Sequence, residues 1–367
     1  RNFALAFRFH WAALGIIILP SQVLKIVGDA NKGAALAIVL VPGAFVSLFA
    51  NPLFGWLSDR TGGRLAVWGR RRPYIFIGTL VNVAALVWLA VARDIPSLAV
   101  AYALAQFSSN AAQAPFHALL PDIVPAEQRG LTSGMIGLLG TLGQIGGVLV
   151  AGLLIDASKP LAAYQQGLWL VYGIIAFVMI ALMLVTIFSV QDSSRVTEQT
   201  VVEVEETEIG NAETQPARRT SMKRSLISIS PATLTTIVGT LVAILAVWGL
   251  MALWNTLHIA GIQIDGTVQQ VVLELLATIG ILRLFDFNPR RDPDFAWVLV
   301  TRLVMMLGIY TIQTFLLFYM RDVVVVAHPE QATTNFIILV SLTALVSAFA
   351  AGWLSDHFGR KRMVYFS

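Results

Sequence analysis

Five residues, Gly55-Trp56-Leu57-Ser58-Asp59, return letter for letter as Gly352-Trp353-Leu354-Ser355-Asp356. Each copy closes a long apolar run. Each is followed by a glycine three residues after the Asp (Gly62, Gly359) and then by basic residues (Arg64; Arg360, Lys361, Arg362). A repeat that follows a hydrophobic span each time points to two related halves of one membrane bundle. The first copy opens a short connection in which Arg60, Arg64, Arg70, Arg71 and Arg72 share one carboxylate, Asp59.

Composition agrees with a bilayer setting. The chain has 367 residues, 57% hydrophobic and 13% charged, about half the ~25% charge of a soluble domain. Its +4 net charge does not argue for nucleic acid, because the basic residues gather in loops beside apolar spans. With no cysteine, disulfides and thiolate metal sites are excluded, and the redox compartment is left undetermined. The five histidines do not fall at metal-ligand spacing, and no nucleophile elbow or phosphate loop is present. No metal, cofactor or enzymatic activity is expected.

A membrane helix needs about 20 mostly apolar residues. Spans are predicted at roughly 3–25, 34–54, 73–92, 96–118, 131–155 and 167–190, and later at 297–320 and 335–354. This divides the chain into a six-helix bundle (1–190), a polar linker (191–230), an inserted apolar segment (231–290) and the start of a second bundle (291–367). Two apolar stretches within the insertion, 233–256 and 268–285, either both cross as a hairpin or both stay at the interface, and the uncharged first one favours crossing. No signal-peptide pattern precedes the first span. The chain opens on Arg1 and stops at Ser367 inside what would be a further helix, so an incomplete C-terminal half is expected. The arginine-rich 55–73 loop, Arg129 and the linker share one side. The positive-inside rule makes that side, and the N-terminus, cytoplasmic.

The repeated element resembles the loop between the second and third helices of the major facilitator superfamily, with its echo between the eighth and ninth. The longer form, running from Asp59-Arg60-Thr61 to Gly69-Arg70-Arg71-Arg72-Pro73-Tyr74, resembles the glycoside–pentoside–hexuronide and sucrose–proton symporters. It departs from them at Leu65-Ala66-Val67, which read as an insertion. The resemblance implies an all-α polytopic membrane helix bundle of the major facilitator type with two pseudo-symmetric halves. It also implies a gating network of Gly55, Asp59, Arg60, Arg64, Arg70, Arg71, Arg72, Asp122, Arg129, Gly352, Asp356 and Arg360 that holds the halves together in one state and releases them in the other. Gly55 is expected to permit close helix approach. In that branch two carboxylates precede the motif in the second span. Matching through Pro52 and Gly55 puts Asn51 and Ser47 there, so a sodium site of that pattern is not expected.

Polar groups inside spans are costly and usually face a cavity or a partner. The candidates for solute binding are His10, Gln22, Gln106, Asn110, Gln113, Gln144, Arg302, Tyr310 and Gln313. Taken singly, a glutamine or asparagine is more often glue between helices. Gln106, Asn110 and Gln113, at i, i+4 and i+7, line one helical face together. Arg8 and His117 lie near span ends, where they can snorkel. Gly143 and Gly147 stand in G-x-x-x-G spacing, which serves a sliding helix or a static seam equally.

The expected function is secondary transport of a small polar solute, sugar-like by resemblance. Coupling is to a proton, with His10 a candidate carrier, or the chain runs as a facilitator. Efflux of drugs or metabolites and a non-transporting membrane sensor are the alternatives. The expected partners are the solute, the proton and the lipid bilayer of the cell membrane, with no nucleic acid and a monomeric chain.

Overall fold

A computed structural model of the chain describes residues 2–59, 61, 69, 71–125, 128–189, 231–257, 264, 266–284, 291 and 293–358. Every regular element among them is helical: α1 Asn2–Ala12, a π-helical stretch Ala13–Ile18, α2 Leu19–Val27, α3 Lys32–Asp59, α4 Arg72–Val91, α5 Ile95–Ile123, α6 Arg129–Leu154, α7 Leu161–Ser189, α8 Pro231–Leu257, α9 Gly266–Leu284, α10 Pro293–Asp322 and α11 Pro329–Phe358. Six stretches among the described residues are long and apolar enough to span a bilayer: Phe3–Val27, Lys32–Asp59, Arg72–Val91, Thr132–Leu154, Leu161–Ser189 and Ala296–Asp322. α5 falls outside that set because Gln106, Ser108, Ser109 and Asn110 follow one another closely in its middle. Among the described residues of α8 and α9, apolar stretches run over Val242–Leu257 and Val271–Gly280. The predicted linker, 191–230, lies outside the described residues.

The first span is one path with a local change of winding. Pro20 has no N–H to give back to the preceding turn, and the ladder widens just before it: the Leu19 N–H donates to the Leu14 carbonyl, five residues back. Such π turns inside helices often mark functional sites. This one separates His10 from Gln22.

Contacts divide the chain into two units, Arg1–Asn211 with Tyr310–Ser367, and Ala212–Ile309. In the first, Phe3–Val27 is the central element, 78% buried against 17–39% for the other five spans. α6 lies on α1 in a matched register. A Cβ at Gly143 would meet the Leu5 carbonyl, and one at Gly147 the Phe9 carbonyl. Both pairs advance by four residues, so the G-x-x-x-G face lets the two backbones touch along a ridge. Phe3 adds edge-on ring contacts to Phe7 and Phe116, at 4.6 and 5.4 Å. Outward, Phe177 and Phe188 of α7 are 72% and 81% exposed, the faces a bilayer would cover.

In the second unit α8 and α9 pack together, with Gly280 against Thr240. Asn255 joins them by donating to the Ile264 carbonyl at 2.9 Å and accepting its N–H at 2.8 Å.

Candidate functional site

Three groups of polar side chains lie in the first unit, one at each end and one between. At the end carrying the repeated motif, Arg71 is buried and donates to Asp59 Oδ1 at 2.9 Å and to the Pro115 carbonyl at 3.5 Å. One guanidinium therefore ties the end of α3, the start of α4 and the middle of α5, the fork geometry arginine supplies. Beside it Thr61 and Tyr74 share a hydrogen bond of 2.7 Å. Gly55 does not behave as expected: a Cβ there would meet nothing within 4 Å among the described residues. Among the described residues the close approach falls to Gly143 and Gly147, where α1 lies against α6. Arg60, Arg64, Arg70 and Arg360 lie outside the described residues, as do the side chains of Asp122, Arg129, Gly352 and Asp356.

In the middle, α1 and α5 bring polar and aromatic groups together. Trp11 donates its indole N–H to Ser109 at 3.1 Å and meets Tyr102 edge-on at 6.0 Å. Gln106 donates to the Tyr102 hydroxyl at 2.9 Å, and Asn110 donates to the Gln106 carbonyl at 2.8 Å. His10 is fully buried, its ring 4.7 Å from that of Trp11 and tilted 31° to it, and neither ring nitrogen has a hydrogen-bond partner among the described residues. Further along the same face of α5, Gln113 is half-buried and His117 exposed, and Arg8 is an exposed exception on the otherwise buried α1. The stripe therefore runs from a closed middle towards an accessible motif end.

The other candidates part company with this group. Gln22 is occupied as glue: its amide donates to the Leu89 carbonyl at 3.0 Å and accepts from the Tyr172 hydroxyl at 2.8 Å. Gln144 reaches Ser341 at 3.5 Å, so it bridges α6 and α11. Tyr310 is exposed and Gln313 half-buried on α10. Arg302 is exposed and falls in the other unit.

The end opposite the motif holds what the sequence did not reveal. Asp29, beyond α2, accepts two hydrogen bonds from Arg321 at the end of α10, at 2.7 and 3.1 Å. Lys32 bridges Asp29 at 3.2 Å and Asp322 at 2.5 Å. His328 Nδ1 lies 3.5 Å from Asp156. The hydrogen bond from Lys32 is the largest influence on the Asp29 carboxyl; desolvation opposes it, and the charge and hydrogen bond of Arg321 help to hold the carboxyl below its ordinary range. For Asp156 partial burial works upward, yet the Ser158 hydroxyl and N–H, with His328 and Lys159, bring it below that range. Beneath these pairs Glu330 is 1% exposed. Its Oε1 accepts from Ser21 at 3.1 Å and from the Ala157 N–H at 2.9 Å, while Tyr164 donates to Ser21 at 3.2 Å. Thr334 donates to the Val148 carbonyl at 3.0 Å and crowds Gly152. Sequence gave one hint: Glu330 is a lone carboxylate after Pro329 at the mouth of an apolar run. Local pairing hid the rest, since Asp29 sits three residues from Lys32. A shallow groove lined by Ala162, Gln165, Gln166, Trp169 and Leu170 lies along α7 alone.

Comparison with known proteins places these groups in a family context. The family model described as Major Facilitator Superfamily matches residues 4–367. The crystal structure of a D-xylose–proton symporter aligns over 97% of this chain and 86% of that one, at 13% identity and a TM-score of 0.44. No curated protein matches.

Proposed function

Because the chain belongs to the major facilitator superfamily, integral multi-pass membrane proteins that act as transporters, we propose that it is a secondary transporter carrying a small polar solute of sugar type. The observation that carries the substrate class is the Trp11, Tyr102, Gln106, Asn110 and Gln113 face, with His10 beside it, unpartnered among the described residues. Amides and hydroxyls match the donors and acceptors of a polyhydroxylated ring, and an aromatic face covers its apolar side. A greasy cation would instead call for a carboxylate in that cluster, and it holds none.

The mechanism we propose is alternating access around that face. The ion pairs of Asp29, Lys32, Arg321 and Asp322, with the Glu330 seam below them, draw the first six helices against α10 and α11 at one end. Arg8 and His117 are exposed towards the other. This arrangement supports a state open at the motif end. Its positive side is cytoplasmic on the positive-inside rule, which makes the state inward-facing in the cell membrane. In the opposite state the Asp59–Arg71 pair and the arginines around it would close the cytoplasmic end.

Coupling follows from what the second span lacks. Asn51 is exposed and Ser47 turns its hydroxyl back to the Ala44 carbonyl at 2.7 Å, so neither offers a carboxylate to a hard cation. The test is uptake of a sugar panel into proteoliposomes with and without an imposed pH gradient, choline replacing sodium. The expected result is uptake of at least one sugar that survives sodium removal. A large loss in choline overturns the coupling; silence across sugars with a folded protein overturns the substrate class.

A further inference from the structure

We propose that Arg8 of α1, with Gln113 and His117 of α5, forms a subsite for an oxyanion, so that the solute is a polyhydroxylated compound bearing a carboxylate or a phosphate. The inference rests on the sugar-type reading above and narrows it. Its starting point is depth. A guanidinium inside a membrane span is costly, and such a group pairs, faces a cavity or reaches back to the interface. Arg8 does not reach back. A Cβ at Gly140 would stand 3.3 Å from Arg8 Cγ and 3.7 Å from its Nε, so the side chain lies across α6 at that glycine. At the rise of a helix, Gly140 stands about 12 Å along α6 from Thr132, where the apolar span of that helix begins.

The surroundings of Arg8 supply donors and no negative charge. Arg8 is exposed on a helix that is otherwise buried or half-buried. Among the described residues no carboxylate pairs with it. Its charge is felt at the His117 ring, which lies one turn from Gln113 on the same face of α5. His117 is exposed and Gln113 half-buried, and neither side chain has a hydrogen bond among the described residues. Guanidinium, amide and imidazole can each give an N–H to the same oxygen-rich group.

Chemistry then selects the ligand. A guanidinium fork matches the paired oxygens of a carboxylate or phosphate, and such charge-assisted bonds are stronger than neutral ones. A neutral hydroxyl leaves the charge of Arg8 uncompensated, whereas an oxyanion balances it on binding. Trp11 lies one turn along α1 from Arg8 and is tied to Ser109 of α5. The sugar ring is thus read at Trp11, Tyr102 and Gln106, and its charged group on the next turns, towards the motif end.

Isothermal titration calorimetry on the intact chain in nanodiscs tests this with a panel of neutral sugars. Each is measured beside its uronic acid and its phosphate ester, at one fixed pH. At least one charged form is expected to bind about tenfold or more tighter than its neutral parent. Preference for the acid identifies a carboxylate, and preference for the ester a phosphate. Arg8→Gln should bring the ratio of charged to neutral affinity close to one, and Arg8→Met should do the same should Gln fail to fold. Arg8→Lys should keep an intermediate ratio, because it holds the charge but not the fork. Inorganic phosphate should bind far more weakly than the preferred charged sugar. Charged forms no tighter than their neutral parents, a ratio undiminished by Gln and Met, or inorganic phosphate binding as tightly as any charged sugar would overturn the proposal. Neutral sugars that bind without a charged preference leave the sugar reading standing and remove only this inference; a panel in which nothing binds overturns both.

Discussion

Gly147→Leu is expected to lower the yield and melting temperature of the folded protein sharply, and Gly143→Leu to do the same. At both positions the first atom of any side chain already falls on a backbone carbonyl of α1, that of Phe9 and of Leu5 respectively. Backbone cannot swing aside as a side chain tip can, so the two helices must part along the ridge that buries the central span. Overpacking of this kind costs roughly 1–3 kcal/mol and more where backbone has to shift. Gly134→Leu is the control on the same helix, because nothing among the described residues stands within 4 Å of its Cβ position. Thermal unfolding followed by size-exclusion chromatography reads the difference. Equal melting temperatures for the 134 and 147 variants would show that the seam does not hold the bundle.

The second large effect is expected at Asp59. Asp59→Asn keeps the shape but removes the negative charge that faces Arg71, itself buried, and leaves its bond to the Pro115 carbonyl unchanged. Removing one partner of a fully buried pair costs about 3–5 kcal/mol. The Asp59 side chain is 57% exposed, so solvent screening brings the effect nearer the roughly 1 kcal/mol of accessible pairs. Where the closed end relies on the pair more than the open end does, that difference shifts the conformer ratio several-fold and slows cycling, while solute binding at the α5 face stays near normal. Net uptake and equilibrium binding, measured on one preparation, separate the two. Parental uptake by Asp59→Asn would make the carboxylate a topological marker without a gating role.

What the sequence disclosed and what it hid divide along physical lines. Helices follow from the length of apolar runs, which is local information, and the close approach at Gly143 and Gly147 follows from spacing. The Asp59–Arg71 pair was legible because twelve residues of a tight connection hold both members. Gln22 could not be assigned in advance. An amide in a span must bond something, and only the fold decides that Leu89 and Tyr172 take both of its ends. The ion pairs at the end opposite the motif were hidden for the same reason: Asp29 has Lys32 within reach three residues on, yet its bidentate partner Arg321 lies 292 residues away. For Gly55 the motif names a residue type only, and no neighbour stands within 4 Å of a Cβ there among the described residues.

The central claim is exchange of a small polar solute across two alternately closed ends, and counterflow measures it most directly. Proteoliposomes loaded with an unlabelled sugar are placed in a trace of the same sugar, labelled, with no ion gradient. A carrier that alternates must bring label in transiently above its equilibrium level, since the loaded form returns faster than it finds label to take back out. The account predicts that overshoot for at least one sugar of the panel, and its loss in Asp59→Asn. Monotonic equilibration no faster than in empty liposomes, for every sugar tried and with folded protein in the membrane, would contradict it.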